Sequence, residues 1–211
     1  MNIDDKLKEE IDSIWKLISI GDSSGDIDES DRIYNDAIQR LENILQSGNS
    51  QNGTLNYLIG YSWYNLSDTD ETRTSNTEKY LLKAYELDNK NMYAPLYLLH
   101  HYYDIKKYRE ALALSKSIDL NFFLRKNQLW RKLKAIELIL CCKFRLNANN
   151  IDDTEISTFM SLLKSTPEED QPIPYEIDET LKTIDKNSSN NPKLLEQLTS
   201  FITSKMRQHL K

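Results

Sequence analysis

Apolar residues recur every three or four positions along most of the chain, which is the spacing of amphipathic helices. In residues 3–20, for example, Leu7, Ile11 and Ile18 share one helical face. Runs of Gly, Ser, Asn and Asp separate such stretches and predict loops. The pattern predicts nine or ten helices and no strand, with helices over 3–20, 31–46, 55–66, 79–87, 92–105, 107–118, 121–146, 153–163, 177–184 and 192–206, and loops over 21–30, 67–78 and 165–176.

Several of these helices carry local signals of their own. Asp152 with Glu155 predicts a capping box, in which each side chain accepts a backbone N–H near the helix start. Asn191 before Pro192 predicts an N-cap followed by a proline at the first helical position, where its missing N–H does no harm. Residues 135–142 are apolar on nearly every side, so the helix over 121–146 is expected to lie between neighbouring helices.

Composition and charge narrow the function classes. The chain has 211 residues, five glycines, five prolines and a net charge of −6. We expect one all-helical domain over residues 1–211. The negative charge argues against nucleic acid as the partner. The first residues lack the basic and apolar regions of a signal peptide, and the longest apolar run, residues 135–142, is too short for a membrane span, so we expect a cytoplasmic protein.

The two cysteines are adjacent, which is a poor arrangement for a structural disulfide. Cys141 and Cys142 are expected to be buried apolar residues of a protein in a reducing compartment. The alternative is a reactive or metal-binding role, but no CxxC motif or matching histidine accompanies them.

The helices also repeat at a fixed interval. Ala84 and Ile118 occupy the same place in two successive second helices and are 34 residues apart. Small residues stand where two helices must cross closely, at Gly60, Ala84 and Ala111. The segments LIGYSWYNL (58–66), KYLLKAYELDNKN (79–91) and KYREALALSKSI (107–118) resemble the first helix, the end and the second helix of a tetratricopeptide repeat, whose period is 34 residues.

The resemblance is clearest over residues 54–118 and implies a right-handed α-α superhelix of antiparallel helix pairs. Residues 3–120 would form the pairs, and residues 121–211 would form a degenerate repeat and C-terminal capping helices. The loops over 21–30 and 67–78 lengthen two repeats beyond the family period, so the expected superhelix is irregular. A generic helical bundle is the alternative.

The resemblance also implies a binding surface, because the first helix of each pair lines the inner, concave side in this family. Tyrosine offers a large contact area at low entropic cost, which suits a partner-binding groove. The alternative is that several of these tyrosines form the core between repeats. The cations and asparagines with which co-chaperone members bind C-terminal carboxylates are absent, so that partner class is not implied. The inner positions are Thr54, Tyr57, Tyr61, Tyr64, Tyr93, Leu96, His100 and Tyr103.

A second candidate surface is the basic stretch over residues 125–145, in which Glu137 is the sole acid. With Phe122 and Trp130 close by, it could meet nucleic acid, an anionic surface or an acidic protein. The alternative is a solvated face whose charges pair with neighbouring acidic helices. The possible basic patch comprises Arg125, Lys126, Arg131, Lys132 and Lys134.

No pattern in the chain is typical of catalysis: there is no Gly-rich phosphate loop, nucleophile elbow or HExxH motif. His100 and Asp104 could share a helical face, but two ligands make a weak metal site, and a packed or groove-lining histidine is preferred. We therefore expect a protein without enzymatic activity, metal or cofactor that binds a protein or peptide partner in the tyrosine-rich groove. The alternative is a bacterial immunity or antitoxin-type inhibitor that neutralises a toxin by occlusion, since a basic toxin would be steered onto an acidic protein.

Overall fold

The computed structural model describes residues 3–147, 151–184 and 191–209, and within these ranges it is helical without a strand. The all-helical prediction is thus confirmed. The described residues form eleven α-helices and a 3₁₀ helix (Glu168–Asp170). The α-helices are α1 (Ile3–Ser23), α2 (Ile27–Gln46), α3 (Gly53–Asn65), α4 (Glu71–Leu87), α5 (Tyr93–Asp104), α6 (Tyr108–Ser115), α7 (Leu120–Arg125), α8 (Leu129–Asn147), α9 (Asp153–Ser165), α10 (Tyr175–Thr183) and α11 (Pro192–His209).

The chain divides into two compact units, Met1–His101 and Tyr102–Lys211. In the first unit, α1 packs against α2, α2 against α3 and α3 against α4, and α1 also contacts α3. In the second unit, α8 packs against α6, α7, α9 and α10, while α11 contacts α9 and α10. The central place of α8 explains why residues 135–142 are apolar on nearly every side. A single domain over residues 1–211 stays a prediction.

Gly60 shows how closely two helices of the first unit approach. A Cβ atom at Gly60 would lie 2.8 Å from the Leu81 side chain and 2.9 Å from the Leu81 backbone nitrogen. Only a residue without a side chain fits between α3 and α4 at this point. Ala84 and Ala111, the other two small residues, are buried.

The predicted loop over residues 21–30 is wrong in its extent. Helix α1 continues to Ser23, and α2 begins at Ile27 because the Asp26 carboxylate accepts the Glu29 N–H at 3.2 Å as an N-cap. Gly21 lies inside α1, where a Cβ would be 3.1 Å from Ile33. Gly21 therefore allows α1 and α2 to approach and does not end the helix.

The predicted loop over residues 67–78 is wrong for the same kind of reason. Asp70 accepts the Arg73 N–H at 2.7 Å and starts α4 at Glu71. The first turns of α4 are polar even at partly buried positions such as Arg73 and Asn76 and at buried Thr77, so they show no apolar period.

The single helix predicted over residues 121–146 is two helices. Helix α7 ends at Arg125, and Asn127 adopts a left-handed conformation with φ 55°, which asparagine tolerates better than most residues. The Gln128 N–H then donates to the Phe123 carbonyl at 2.9 Å and closes the turn. No glycine or proline marks this break.

The two cap predictions in the second unit are confirmed. Asp152 accepts the Thr154 N–H at 2.9 Å, and Glu155 completes the capping box through the Asp152 N–H. Asn191 accepts the Leu194 N–H at 3.1 Å ahead of α11. Helix α10 begins at Tyr175, two residues earlier than predicted, and its own N-cap position provides no side-chain acceptor.

Candidate partner-binding face of the first unit

Three tyrosines of α3 meet one tyrosine of α5 in a ring cluster. Tyr57 and Tyr61 have ring centroids 5.9 Å apart. Tyr97 of α5 lies 6.3 Å from Tyr57, 4.7 Å from Tyr61 and 5.7 Å from Tyr64. These spacings are those of favourable aromatic pairs. Because all three α3 rings contact Tyr97, they fasten α3 to α5.

Tyr93 and His100 extend the cluster along α5. The Tyr93 ring lies 6.0 Å from that of Tyr57, and the His100 ring lies 6.3 Å from that of Tyr64. His100 also stacks on Tyr97 at 5.8 Å. Residues 93, 97 and 100 are spaced by four and three positions, so they share one face of α5.

Trp15 connects the ring cluster to α1. Its ring lies 6.1 Å from that of Tyr61, and the side chain is 40% exposed. At the end of the same helix, Asp22 accepts the Tyr34 hydroxyl at 2.8 Å. Burial and the Asp22 carboxylate raise the pKa of Tyr61, so this hydroxyl stays protonated near neutral pH. The aromatic residues thus connect α1, α3 and α5, which we call the first-helix face.

The members of the first-helix face differ in what they offer to a partner. Tyr57 and Tyr61 are each only 7% exposed. They therefore belong to the core between the helices, which is the alternative to a role in lining a groove. Tyr64 and Tyr97 are half-buried, as are Tyr93 and His100 on the same face of α5 as Tyr97. Together with exposed Trp15, the half-buried residues form the accessible edge of the cluster.

Leu96 and Tyr103 lie apart from these rings. Leu96 is 1% exposed and belongs to the core. Tyr103 falls in the second unit, where its hydroxyl lies 3.3 Å from Thr180 Oγ1 and its ring lies 5.8 Å from that of Tyr108. Burial raises the pKa of Tyr103 to about 12.

An open groove lies beside the first-helix face, between α1 and the start of α3. It has a volume of 310 Å³. Thr54, one of the predicted inner positions, is exposed at its edge. The groove is lined by Leu7, Lys8, Ile11, Asp12, Asn52 and Thr54.

The residues of the basic patch make contacts within the second unit. Arg125 pairs with Asp119 at 2.6 Å, and Lys132 donates to the Asn121 amide oxygen at 3.3 Å. Both partners lie at the start of α7, so neither contact is the pairing with neighbouring acidic helices that the alternative of a solvated face expected. Lys126 lies over the Phe122 ring at 5.9 Å, and Arg131 lies over the Trp130 ring at 4.3 Å.

Lys134 belongs to a partly buried ion cluster that joins α8 to α10. Its ammonium donates to Glu137 at 3.0 Å and also pairs with Glu176. Glu137 is 1% exposed, and its second oxygen accepts the Ile177 N–H at 3.0 Å. Glu137 therefore supplies the acceptor that the N-terminus of α10 lacks locally.

Burial and charge pairing have opposite effects on the pKa values of Glu137 and Lys134 in this cluster. Burial raises the pKa of Glu137 to about 7 against the opposing effect of Lys134, while Glu176 adds to the increase. Burial also opposes the charge on Lys134, but its two carboxylate partners together raise the Lys134 pKa. Because Glu137 is almost completely buried, we assign it a role in holding α10 on α8.

The cysteines are both buried, as predicted. Burial raises the pKa of Cys141, and it raises that of Cys142 to about 12, so neither thiol is activated. Within the described residues, no three or more His, Cys, Asp or Glu side chains are grouped to hold a metal ion. Nor does any helix in the described ranges combine the length and the apolar character needed to cross a membrane.

Comparisons of the chain with protein-family models, with curated proteins and with solved structures find no match.

Three contributors to the site are not predicted from the sequence. Tyr97 is at the centre of the cluster, and its spacing from Tyr93 and His100 was the available signal. Trp15 lies in the helix predicted over residues 3–20, but the apolar spacing of that helix does not show that its ring is part of a surface. The pairing of Asp22 with Tyr34 crosses from α1 to α2 and has no local signal.

Proposed function

We propose that the chain is a non-catalytic interaction protein of the cytoplasm that binds a protein or peptide partner on the first-helix face of its first unit. The observation that supports this is the continuous set of ring contacts from Trp15 through Tyr61 and Tyr97 to His100. Aromatic side chains dominate the energetics of interfaces because they bury large areas with few rotatable bonds.

The proposal includes the tetratricopeptide-like arrangement, a right-handed superhelix of helix pairs. In such an arrangement each helix packs on the next, and first helices of successive pairs also touch. The contacts of α1 with α2 and with α3 fit this scheme. The close crossing at Gly60 and the 34-residue spacing of Ala84 and Ile118 support it as well.

Within this face, the residues are assigned two roles. Tyr57 and Tyr61 form a rigid floor, since they have almost no exposed surface. Trp15, Tyr64 and His100 form the contact surface. A floor of packed rings preorganises the contact surface, which lowers the entropic cost of binding.

The test starts from affinity capture by the full chain, followed by titration of the captured partner. Trp15→Ala combined with Tyr64→Ala should weaken binding at least about tenfold, because a buried aromatic anchor contributes about 2 kcal/mol or more. Leu82→Ala is the matched control, as Leu82 is an exposed apolar residue of α4 that makes no ring contact in the cluster. Equal affinities of the double variant and the control variant would show that the partner binds elsewhere.

The second candidate function is inhibition of a basic toxin by occlusion, and the charge distribution favours it. Residues 1–101 contain 18 Asp and Glu against 9 Lys and Arg, a net charge of −9, whereas residues 102–211 contain 15 against 18, a net charge of +3. An acidic unit raises the association rate of a basic partner. A toxin gene next to the gene for this chain, and an association rate that falls steeply with salt, are the expected observations.

A further inference from the structure

A mostly apolar groove runs along α8 in the second unit, between α7 and α9. Its volume is 280 Å³. The Leu120 side chain of α7 lies at one end, and Glu155 of α9 lies in its wall. Leu124, one turn further along α7, is 41% exposed and continues the apolar surface outward. The lining residues are Leu120, Ile136, Ile139, Leu140, Thr154, Glu155 and Thr158.

The side of this groove that α9 forms is lined mainly by small side chains. Thr154 and Thr158 also line a second open groove along α9, together with Ser157 and Ser161. All four side chains are small and exposed. The distance between two packed helices depends on the side chains at their contact, so small residues allow another backbone to come close.

The two ends of the groove differ in charge. Lys132 and Lys143 lie on the same face of α8, eleven residues and therefore roughly 16 Å apart. Lys143 pairs with the Glu155 carboxylate, which neutralises it. Lys132 donates to the neutral Asn121 amide at 3.3 Å, and no carboxylate of the described residues pairs with it. Lys126, at the C-terminal end of α7, is exposed.

We propose that this groove binds an amphipathic helix of a partner polypeptide, with the apolar face of the helix on Ile136 and Ile139 and its acidic end over Lys132. Such a helix would present apolar residues at positions i, i+3 or i+4, and i+7, which is the usual pattern of helix recognition in a groove. The acidic end follows from charge complementarity, because Lys132 is a cation without a carboxylate partner in the described part of the chain, whereas Lys143 is paired with Glu155.

A helix suits this groove better than a small molecule does. Small-molecule sites are generally enclosed cavities of about 300–1,000 Å³ that surround most of their ligand. The groove on α8 is open along its length and has small residues on one side. It is also independent of the first-helix face, since all of its residues belong to the second unit.

The first experiment selects the chemistry of the ligand without assuming its sequence. Displayed random peptides of about 16 residues, long enough for four helical turns, are enriched on the full-length protein. A parallel selection uses the Ile136→Asp, Ile139→Asp double variant. Peptides enriched only on the unchanged protein should show helical apolar spacing and acidic residues clustered at one end.

The second experiment measures one such peptide by fluorescence anisotropy. Ile139→Asp should lower its affinity about tenfold or more, because it replaces an apolar contact with a buried charge. If this variant loses its far-UV circular dichroism, Ile139→Ala takes its place and should lower the affinity about threefold to tenfold. Ile173→Asp is the matched control, since Ile173 is 49% exposed and lies outside the groove. Trp15→Ala, on the first-helix face, should leave the peptide affinity unchanged.

A charge swap tests the orientation of the helix. Lys132→Glu should weaken the acidic peptide about fivefold to tenfold, and replacing the acidic end of the peptide by lysines should restore binding to that variant only. The peptide should gain helical circular dichroism on binding. These results, with an unaffected Trp15→Ala protein, would support the groove whatever the fate of the proposed function.

Four outcomes would overturn the proposal. The first is that the selection yields no peptide whose binding depends on Ile136 and Ile139. The second is that the dependent peptides bind without becoming helical. The third is that Lys132→Glu does not change their affinity. The fourth is that sedimentation shows that the protein self-associates and that Ile139→Asp abolishes the association, which would assign the groove to a second copy of the chain.

Discussion

The Glu137 carboxylate links α8 to α10, and its removal is the most informative test of the second unit. In Glu137→Ala the Ile177 N–H loses its acceptor in a buried site, which costs about 1–3 kcal/mol. Lys134 loses one of its two carboxylates but keeps Glu176. Removing a buried methylene costs about 0.8 kcal/mol more. We expect the free energy of unfolding to fall by about 3 kcal/mol, near the lower end of what breaking a buried ion pair costs.

Glu137→Gln separates the hydrogen bond from the charge. The amide oxygen can still accept the Ile177 N–H, and the variant no longer requires burial of a negative charge. At pH 5, where the Glu137 carboxyl group is mostly protonated, we expect this variant to lose about 1 kcal/mol, because the amide does not reproduce every contact of the carboxyl group. The order of stabilities should therefore be unchanged protein, then Glu137→Gln, then Glu137→Ala.

The pH dependence provides a second measurement on the same residue. The pKa of Glu137 is raised to about 7 in the folded protein from 4.5, the value expected when exposed. Between these values the folded state binds more protons than the unfolded state, so the stabilising contribution of Glu137 is complete below pH 4.5 and is lost as the pH rises through 7. The unchanged protein should gain stability relative to Glu137→Gln as the pH falls from 7 to 5.

The assay is urea unfolding followed by circular dichroism at several pH values, with the slope m monitored for a change in cooperativity. Lys134 and Cys141 on α8 and Glu176 on α10 are the titratable groups that act on Glu137, and they are present in all three proteins. If Glu137→Gln were as destabilised as Glu137→Ala, the bond to Ile177 would contribute nothing. A stability difference that does not change between pH 5 and 8 would show that Glu137 does not titrate in that range.

Three further predictions concern local structure. Gly60→Ala should lower the free energy of unfolding by about 1–3 kcal/mol, because the new Cβ would meet the Leu81 backbone, and urea unfolding should show this; Gly25→Ala, with open space around its Cβ, should not destabilise the protein. Asp26→Ala should lower the free energy of unfolding by about 1 kcal/mol in the same assay, because α2 loses its N-cap. A change smaller than about 0.3 kcal/mol would show that this N-cap does not stabilise the protein. Cys142 should react with a disulfide reagent at pH 8 far more slowly in the folded protein than in urea, since burial raises its pKa to about 12, and equal rates would contradict its burial.

The existence of the helices could be predicted from the sequence, but several of their ends could not. Periodicity detects a helix only where one side is apolar, so the polar first turns of α4 were assigned to a loop. The loop predicted over residues 21–30 begins at Gly21, but this residue lies inside α1 and lets the helix approach Ile33. The left-handed backbone conformation of Asn127 separates α7 from α8. Asparagine is frequent along the chain, so its presence at residue 127 does not by itself predict the end of a helix.

The candidate face was predicted in part for a related reason. The resemblance to the tetratricopeptide repeat implies that certain positions of α5 line the inner surface. One of these, Leu96, is a core residue. Tyr97 could have been found from its spacing to Tyr93 and His100 alone. The bond between Glu137 and Ile177, by contrast, joins residues 40 positions apart, and no local pattern predicts such a partner.

The distribution of burial within the first-helix face decides how its function can be tested. Tyr57 and Tyr61 have little exposed surface but several ring partners, so replacing them by alanine would remove core packing and cost about 3 kcal/mol or more. A loss of binding in those variants would follow from unfolding as readily as from a lost contact. Trp15 and His100 do not share this ambiguity to the same degree, because each keeps substantial exposed surface. Partner binding on this face must therefore be judged from its accessible edge, and the density of tyrosine in α3 is by itself evidence of helix packing.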